Sequence, residues 1–152
     1  MEIEKKYLIG NLLYVAGVSC SRIEQHYICL SKDREVRIRK KGGEHFLTIK
    51  GDGALIRNEW EQKISQEAYK YLLPASIGSV IKDRYEINLP NNKVAEVDIY
   101  RGDLEGPNHI TVEVEFGSKE EADVFEVPDW FGKDITNDAR YKNKNLATKG
   151  WP

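Results

Sequence analysis

The sequence predicts a mainly β domain of the α+β class, built as an antiparallel meander of seven or eight strands. Most of the chain divides into short runs in which apolar and polar residues alternate, and alternation is typical of strands because successive side chains point to opposite faces. Turn signals such as Gly42-Gly43 and Asn91-Asn92 separate several of these runs. In addition, the polar face of nearly every predicted strand carries two or more full charges.

The alternating runs follow one another along the chain with short connections. A connecting loop over residues 11–19 follows the first run, and Gly51-Asp52-Gly53 makes a turn later in the chain. The predicted strands are residues 1–9, 23–30, 35–41, 45–50, 57–64, 80–89, 94–100 and 111–116.

Three short helices are predicted between and after these strands. Ser65 is an N-cap for a helix through about Leu73, which Pro74 ends. Residues 118–121 read Ser-Lys-Glu-Glu, a capping box that opens a second helix. A last short helix is predicted over residues 143–147.

Composition limits the class of protein and the partners it can have. The 152 residues suit one domain, which we assign to residues 1–152, and 32% of them are charged against a norm of about 25%. The formal net charge is only -2, so the basic excess of a general nucleic-acid binder is absent. Two cysteines and no long apolar run predict a cytoplasmic protein without a membrane span.

The charged faces differ in sign from strand to strand. Two carboxylates two residues apart in a strand repel each other unless a cation lies between them, and Mg²⁺ and Mn²⁺ prefer carboxylate oxygens. For the first pair alone, a solvated strand face is the simpler interpretation. The acidic pairs are Glu2 and Glu4, Glu59 and Glu61, Glu96 and Asp98, and Glu113 and Glu115; the basic pairs are Arg37 and Arg39, and Lys82 and Arg84.

This pattern fits two architectures. In a sandwich with one wet side, the charges face solvent. In a closed barrel, they turn inward and the apolar faces turn outward beneath helices, an arrangement that requires hydration, internal pairing and a ligand because buried unpaired charge is costly. Alternation is the same in both cases, so it does not distinguish them.

Read together, the motifs resemble those of the triphosphate tunnel metalloenzyme superfamily, also called the CYTH domain. The similarity covers essentially the whole chain in order, with His26 where Gly is common and Ile28 in place of Leu. The matching stretches are residues 2–6 (ExExK), 25–28 (QxYL), 36–39 (RxR), 48–51 (TxKG), 57–61 (RxExE), 82–85 (KxRY), 96–98 (ExD), 113–116 (ExEF) and 138–143.

The resemblance implies a fold and a reaction. The expected fold is an eight-stranded antiparallel β-barrel, the triphosphate tunnel, with a charged interior and helices packed outside. The expected activity is metal-dependent hydrolysis of the terminal phosphoanhydride of inorganic triphosphate, giving pyrophosphate and phosphate. Mg²⁺ or Mn²⁺ is the expected cofactor, and the expected partner is a triphosphate small molecule, without a nucleic acid or a membrane.

The resemblance also implies roles for individual residues. Lys6 and Tyr27 match a pair that helps to activate water in some small tripolyphosphatases of this family. Glu59, Glu96 and Asp98 stay open between catalytic and structural roles. The residues expected to bind metal are Glu2, Glu4, Glu61, Glu113 and Glu115, and those expected to bind substrate phosphate are Arg37, Arg39, Lys50, Lys82 and Arg84.

Other functions remain compatible with the sequence. Within the same fold they are hydrolysis of nucleoside or thiamine triphosphates and a class IV-type adenylyl cyclase reaction. Outside enzymes, the alternative is a polyphosphate-binding module without metal chemistry. The paired glutamates argue against that module, because a pure anion binder gains nothing from them.

Overall fold

Eight antiparallel strands form one sheet in the structure, a computed structural model that describes residues 3–10, 15–51 and 59–152. The mainly β fold predicted from the sequence is confirmed. The strands are β1 Ile3–Leu8, β2 Cys20–Leu30, β3 Glu35–Lys41, β4 Glu44–Lys50, β5 Glu59–Ile64, β6 Gly78–Asn88, β7 Val94–Arg101 and β8 Ile110–Phe116; the helices are α1 Gln66–Leu72, α2 Lys119–Asp123 and α3 Asn143–Lys149.

Some of the sequence predictions fall on residues that the structure does not describe. Several predicted features lie partly outside the described residues: positions 1–2 of the first strand (with Glu2), 11–14 of the loop at 11–19, 52–53 of the Gly51-Asp52-Gly53 turn and 57–58 of the fifth strand. The two N-caps are confirmed: the side chain of Ser65 accepts a hydrogen bond from the Ala68 amide, and that of Ser118 accepts one from the Glu121 amide.

The strand order is β1-β8-β7-β6-β2-β3-β4-β5, which puts β1 and β5 at the two edges. No ladder joins these edges within the described residues, so the sheet is not closed into a full barrel there. The edge of β1 that faces away from β8 is occupied by the chain that follows β8. The Leu8 amide of β1 donates to the Lys133 carbonyl at 2.9 Å, and the Lys6 carbonyl of β1 accepts from the Ile135 amide at 2.8 Å.

The sheet nevertheless curls strongly. In a flat sheet, six strand spacings of about 4.8 Å would separate β1 from β4 by about 29 Å. Instead Glu4 and Lys50 line the same cavity, together with side chains from all five strands between β1 and β4. Glu4, Arg39, Lys82 and Glu115, from four different strands, all line this one cavity, as the inward-charge alternative requires.

The apolar side chains of β1, β7 and β8 lie on the outer face, as the inward-charge alternative requires. Val97, Val112 and Val114 are fully buried there beneath the chain that follows β8. This chain includes α2 and the aromatic residue Phe131, and the Lys5 ammonium donates to the Ala122 carbonyl at 2.8 Å. On β2 to β4, α1 covers the outer face through Tyr69.

The C-terminal helix departs from the expectation that helices pack outside. Leu146 of α3 packs with Val80 and Tyr100, which lie on the charged side of β6 and β7. Gly78 permits this approach, because a Cβ atom there would lie 2.6 Å from the Ala147 carbonyl oxygen. The helix therefore fills one end of the concave side of the sheet.

A bulge in β2 changes one predicted face. The register pairs Tyr27 with Arg37 but Cys29 with Val36, so Ile28 is an extra residue in this strand. Cys29 therefore leaves the face of Gln25 and Tyr27, where simple alternation put it. No helix in the described part of the chain is both long and apolar enough to cross a bilayer.

Candidate functional site

The concave side of the sheet encloses a cavity of about 360 Å³. Its walls come from every strand except β5, and its closed end comes from residues 135–144. The lining is almost entirely charged or polar. Most of the acidic groups that line it are on β1, β7 and β8, with Glu35 on β3, and most of the basic groups are on β3, β4 and β6, with Lys6 on β1.

The acidic wall is built from direct cross-strand pairs. Glu4 on β1 lies opposite Glu115 on β8, and Glu96 on β7 lies opposite Glu113 on β8. Like charges in such positions destabilise a sheet unless a cation compensates them. Burial raises the pKa of the Glu96 carboxyl; Arg84 opposes this shift, and the neighbouring carboxylates reinforce it.

These carboxylates have the chemistry that a hard divalent cation requires, since carboxylate oxygens are the ligands that Mg²⁺ and Mn²⁺ prefer. Across residues 3–10, 15–51 and 59–152, no three acidic, histidine or cysteine side chains are already arranged to hold a metal ion. Glu2, the other carboxylate of the opening motif, lies outside this range. Glu4, Glu113 and Glu115 all line the cavity. Glu4 lies opposite Glu115, whereas Glu113 lies opposite Glu96.

Glu61 lies in different surroundings from the other predicted metal ligands. Its carboxylate accepts a hydrogen bond from the Thr48 hydroxyl at 2.9 Å and lies 4.0 Å from an Arg39 nitrogen. The described residues that line the cavity do not include Glu61. These contacts associate it with the basic wall.

Arg37 and Arg39 form the centre of the basic wall, on the cavity side of β3. The Nε atoms of both guanidinium groups are buried and have no hydrogen-bond partner within the described structure. Arg37 also donates to the Glu35 carboxylate at 3.2 Å. Buried N–H donors without a partner are rare in folded proteins, so the hydrogen bonding of these two arginines is incomplete on the cavity side of β3.

Lys82 and Arg84 also line the cavity, but ion pairs inside the protein occupy them. The Lys82 ammonium donates to Asp98 at 2.7 Å, and Arg84 donates to both oxygens of Asp98 at 2.8 and 2.9 Å. Arg84 also lies 2.7 Å from Glu96. Asp98 is fully buried, so of its two open roles the structure favours the structural one.

Lys6 and Tyr27 both line the cavity, and their described contacts go to different partners. The Lys6 ammonium donates to the Tyr141 carbonyl at 2.7 Å and lies 3.4 Å from Glu113. The Tyr27 hydroxyl accepts from the Gln25 amide at 2.6 Å. Burial raises the pKa of Tyr27 to about 12, although Arg37 opposes the shift.

Comparison with known proteins gives the family. The CYTH domain family matches residues 1–150. This chain belongs to the CYTH domain family. An inorganic triphosphatase of Nitrosomonas europaea is 39% identical over 149 residues, which cover 96% of each chain. An inorganic triphosphatase of Acetivibrio thermocellus is 34% identical over 151 residues, covering 96% of this chain and 92% of the relative.

A solved structure extends the similarity to the fold. The crystal structure of an inorganic triphosphatase superimposes with a TM-score of 0.76 at 35% identity, covering 97% of this chain and 95% of the other. The eight-stranded antiparallel arrangement described above is therefore that of the CYTH fold.

Sequence reasoning missed two parts of this CYTH cavity. Glu35 is buried on the cavity wall beside Arg37, and its place two residues before Arg37 in an alternating strand was a usable signal. Residues 135–144 close one end of the cavity; the resemblance matched 138–143 but gave these residues no role in the site, and no pattern marks 135–137. One of their contributions is the backbone carbonyl of Tyr141, which no side-chain motif can reveal.

The Asp98 ion pairs predict a pH-dependent contribution to stability. Burial alone would raise the pKa of Asp98, but Lys82 and Arg84 outweigh it and lower the pKa to about 2. A carboxyl whose pKa is lower in the folded state stabilises the fold above its unfolded value of about 3.9, and this contribution is lost as the pH falls towards 2. Asp98→Asn is expected to reduce the free energy of unfolding at pH 7 by about 3–5 kcal/mol, because it leaves two buried cations without their carboxylate.

Urea denaturation of wild type and Asp98→Asn between pH 7 and pH 2 measures this contribution. The difference between the two proteins is expected to shrink as the pH falls. Glu44→Gln is the control, since the exposed pair of Glu44 with Lys63 is expected to contribute only about 0–1 kcal/mol. A difference that stays constant down to pH 2 would contradict the assignment.

Proposed function

We propose that this chain is an inorganic triphosphatase, which hydrolyses tripolyphosphate to pyrophosphate and phosphate in the cavity of its sheet. The observation that carries the proposal is that Arg37 and Arg39, whose buried Nε donors have no partner among the described residues, line the same cavity as a group of carboxylates. An anion alone would not need that acidic wall, and a cation alone would not need the arginines. A polyanion together with its metal ions uses both.

The phosphate oxygens are bound chiefly by cationic side chains that still have N–H donors not used in ion pairs within the described residues. Arg37 and Arg39 supply planar guanidinium donors, and Lys50 adds a point charge from β4. Lys82 and Arg84 contribute positive potential and are held in place by Asp98. The developing charge of the pyrophosphate leaving group is thereby stabilised by cations that need little rearrangement.

The divalent cation, Mg²⁺ or Mn²⁺, is held by Glu4, Glu113 and Glu115, with Glu2 from the opening motif and Glu61 as further candidates. When bound, it neutralises phosphate charge and lowers the pKa of a coordinated water. The free thiols of Cys20 and Cys29 favour a reducing compartment such as the cytoplasm.

Lys6 and Tyr27 are proposed to help orient and deprotonate the attacking water. Lys6 is on the metal-facing wall between Glu113 and the closed end of the cavity. Because the pKa of Tyr27 is about 12, its hydroxyl stays protonated at neutral pH and can donate a hydrogen bond to the water or the phosphate. A structural role for both residues is the alternative.

One assay of phosphate release tests the proposed substrate class. Tripolyphosphate, ATP, GTP and thiamine triphosphate are compared with Mg²⁺, with Mn²⁺ and after removal of divalent metal by a chelator. Tripolyphosphate is expected to give the highest kcat/KM, and metal removal is expected to abolish turnover. Faster turnover of a nucleoside or thiamine triphosphate would replace the proposal with that activity, and binding without turnover would indicate a polyphosphate-binding module.

The two walls are expected to respond differently to mutation. Glu115→Ala should lower kcat by about 100-fold or more, equivalent to about 2.7 kcal/mol of barrier, while tripolyphosphate still binds. Arg39→Ala should weaken tripolyphosphate binding as well as turnover, because it removes a phosphate ligand. Calorimetric binding and steady-state rates at saturating metal separate these effects, with the exposed Glu44→Ala as control. Near wild-type turnover in Glu115→Ala would refute the metal-wall assignment.

The Lys6 and Tyr27 proposal is tested by the pH dependence of the rate. Only a neutral amine can accept a proton from water, so if Lys6 is the base the wild-type rate with tripolyphosphate should rise with increasing pH. Lys6→Ala is expected to remove this rising limb, and Tyr27→Phe is expected to shift it. If both variants keep the wild-type profile and rate, neither residue takes part in activating the water.

A further inference from the structure

The penultimate residue of the chain, Trp151, belongs to an aromatic cluster at the closed end of the cavity. Its indole stacks on the imidazole of His109 with ring centroids 4.3 Å apart and an interplanar angle of 8°. It also meets the rings of Tyr100 and Tyr141 edge-on, at centroid distances of 5.3 and 5.4 Å. Each well-packed aromatic pair contributes more than its buried area alone suggests.

The strand side of this cluster is fixed to the sheet. The Nδ1 atom of His109 lies 2.8 Å from the Leu104 carbonyl, a distance that assigns the proton to Nδ1 as the donor. Tyr100 is on β7, and its hydroxyl donates to the Asn143 side chain at 2.9 Å. Trp151 therefore attaches the end of the chain to a part of the molecule that has little freedom to move.

The C-terminal residues of the cluster are connected to the site through Tyr141. Tyr141 packs against Trp151 through its ring, and its backbone carbonyl accepts the hydrogen bond from the Lys6 ammonium at 2.7 Å. Only two contacts thus separate Trp151 from a residue that the proposed mechanism uses. The other described partner of that ammonium is Glu113.

The segment between Tyr141 and Trp151 depends on such an attachment. Helix α3 has seven residues, and a helix of this length is not stable in water without tertiary contacts. Inside the molecule it is held by Leu146, which packs among Val80 and Tyr100. Loss of the indole removes the contact at its C-terminal end and permits residues 139–150 to open locally.

We propose that Trp151 is a positioning residue for Lys6: its stacking on His109 holds residues 139–150 against the end of the cavity, so that the Tyr141 carbonyl orients the Lys6 ammonium. The effect on Lys6 is structural and stands without the proposed activity. Its catalytic consequence rests on the proposed function of Lys6.

The structural part is tested by the reactivity of the Lys6 amine in the full-length protein. Brief reductive methylation followed by peptide mass spectrometry reports how often Lys6 is exposed. Trp151→Ala is expected to raise the rate at Lys6 by roughly tenfold, since it removes several aromatic contacts at once. Trp151→Phe keeps a ring for His109 and should stay near the wild-type rate.

Trp130→Ala is the matched control for loss of a large aromatic residue. Trp130 packs edge-on against Phe131 at 4.6 Å and belongs to a different hydrophobic cluster from Tyr141, Leu146 and Trp151. Its substitution is expected to leave Lys6 labelling unchanged. Labelling of Lys6 that is no faster in Trp151→Ala than in wild type, or that is equally raised in Trp130→Ala, would overturn the proposal.

The catalytic part is tested by a double-mutant cycle with tripolyphosphate as substrate. Trp151→Ala alone should lower kcat with little effect on KM, because Arg37 and Arg39 are untouched. If it acts through Lys6, the double variant Lys6→Ala, Trp151→Ala is expected to be no slower than Lys6→Ala. Multiplied losses in the double variant would overturn the link to Lys6.

The two sets of measurements distinguish failure of this inference from failure of the proposed function. A wild-type protein without tripolyphosphate hydrolysis contradicts the proposed function, and the labelling experiment then decides the positioning role alone. A fully active Lys6→Ala contradicts the catalytic role of Lys6 and with it the catalytic consequence for Trp151. Faster labelling in Trp151→Ala supports the structural role in either case.

Discussion

The structure depends on the way in which its concave face tolerates charge. Asp98 is completely buried, and the cost of removing a carboxylate from water is recovered only if its partners have the correct geometry. Arg84 lies directly opposite Asp98 across the β6–β7 pair, and Lys82 reaches it from two residues earlier on β6. A slip of one residue would turn these charges to the apolar face, so the ion pairs help to fix the register of the central strands.

The same pairing divides the charges of the cavity into two groups. Lys82 and Arg84 are paired with carboxylates, whereas Arg37 and Arg39 each have a buried Nε donor that has no partner in the described part of the chain. An interior in which every charged group was paired would support a stable fold, but it would have no charged group left to bind a ligand strongly. We therefore expect ligand binding where the ion pairing is incomplete, at the β3 arginines and the acidic wall opposite them.

Much of this architecture could be predicted from the sequence, because a strand repeats every two residues and its charged face is visible in the residue order. Alternation could not show that this face turns inward, since both orientations give the same pattern; similarity to a known family supplied that step. The bulge at Ile28 shifted Cys29 without any local signal. The role of residues 135–144 in the site escaped prediction, although 138–143 matched the family, because they act partly through backbone atoms such as the Tyr141 carbonyl.

The chain that follows β8 is involved both in the gap between β1 and β5 and in the closed end of the cavity. It takes up the hydrogen-bonding edge of β1 that a closed barrel would offer to β5, and the Ile135 amide donates there to the Lys6 carbonyl. Six residues later, Tyr141 receives the ammonium of the same Lys6. Backbone and side chain of one residue in the acidic wall are thus held by one segment, so the way in which the sheet ends also determines how that wall is shaped.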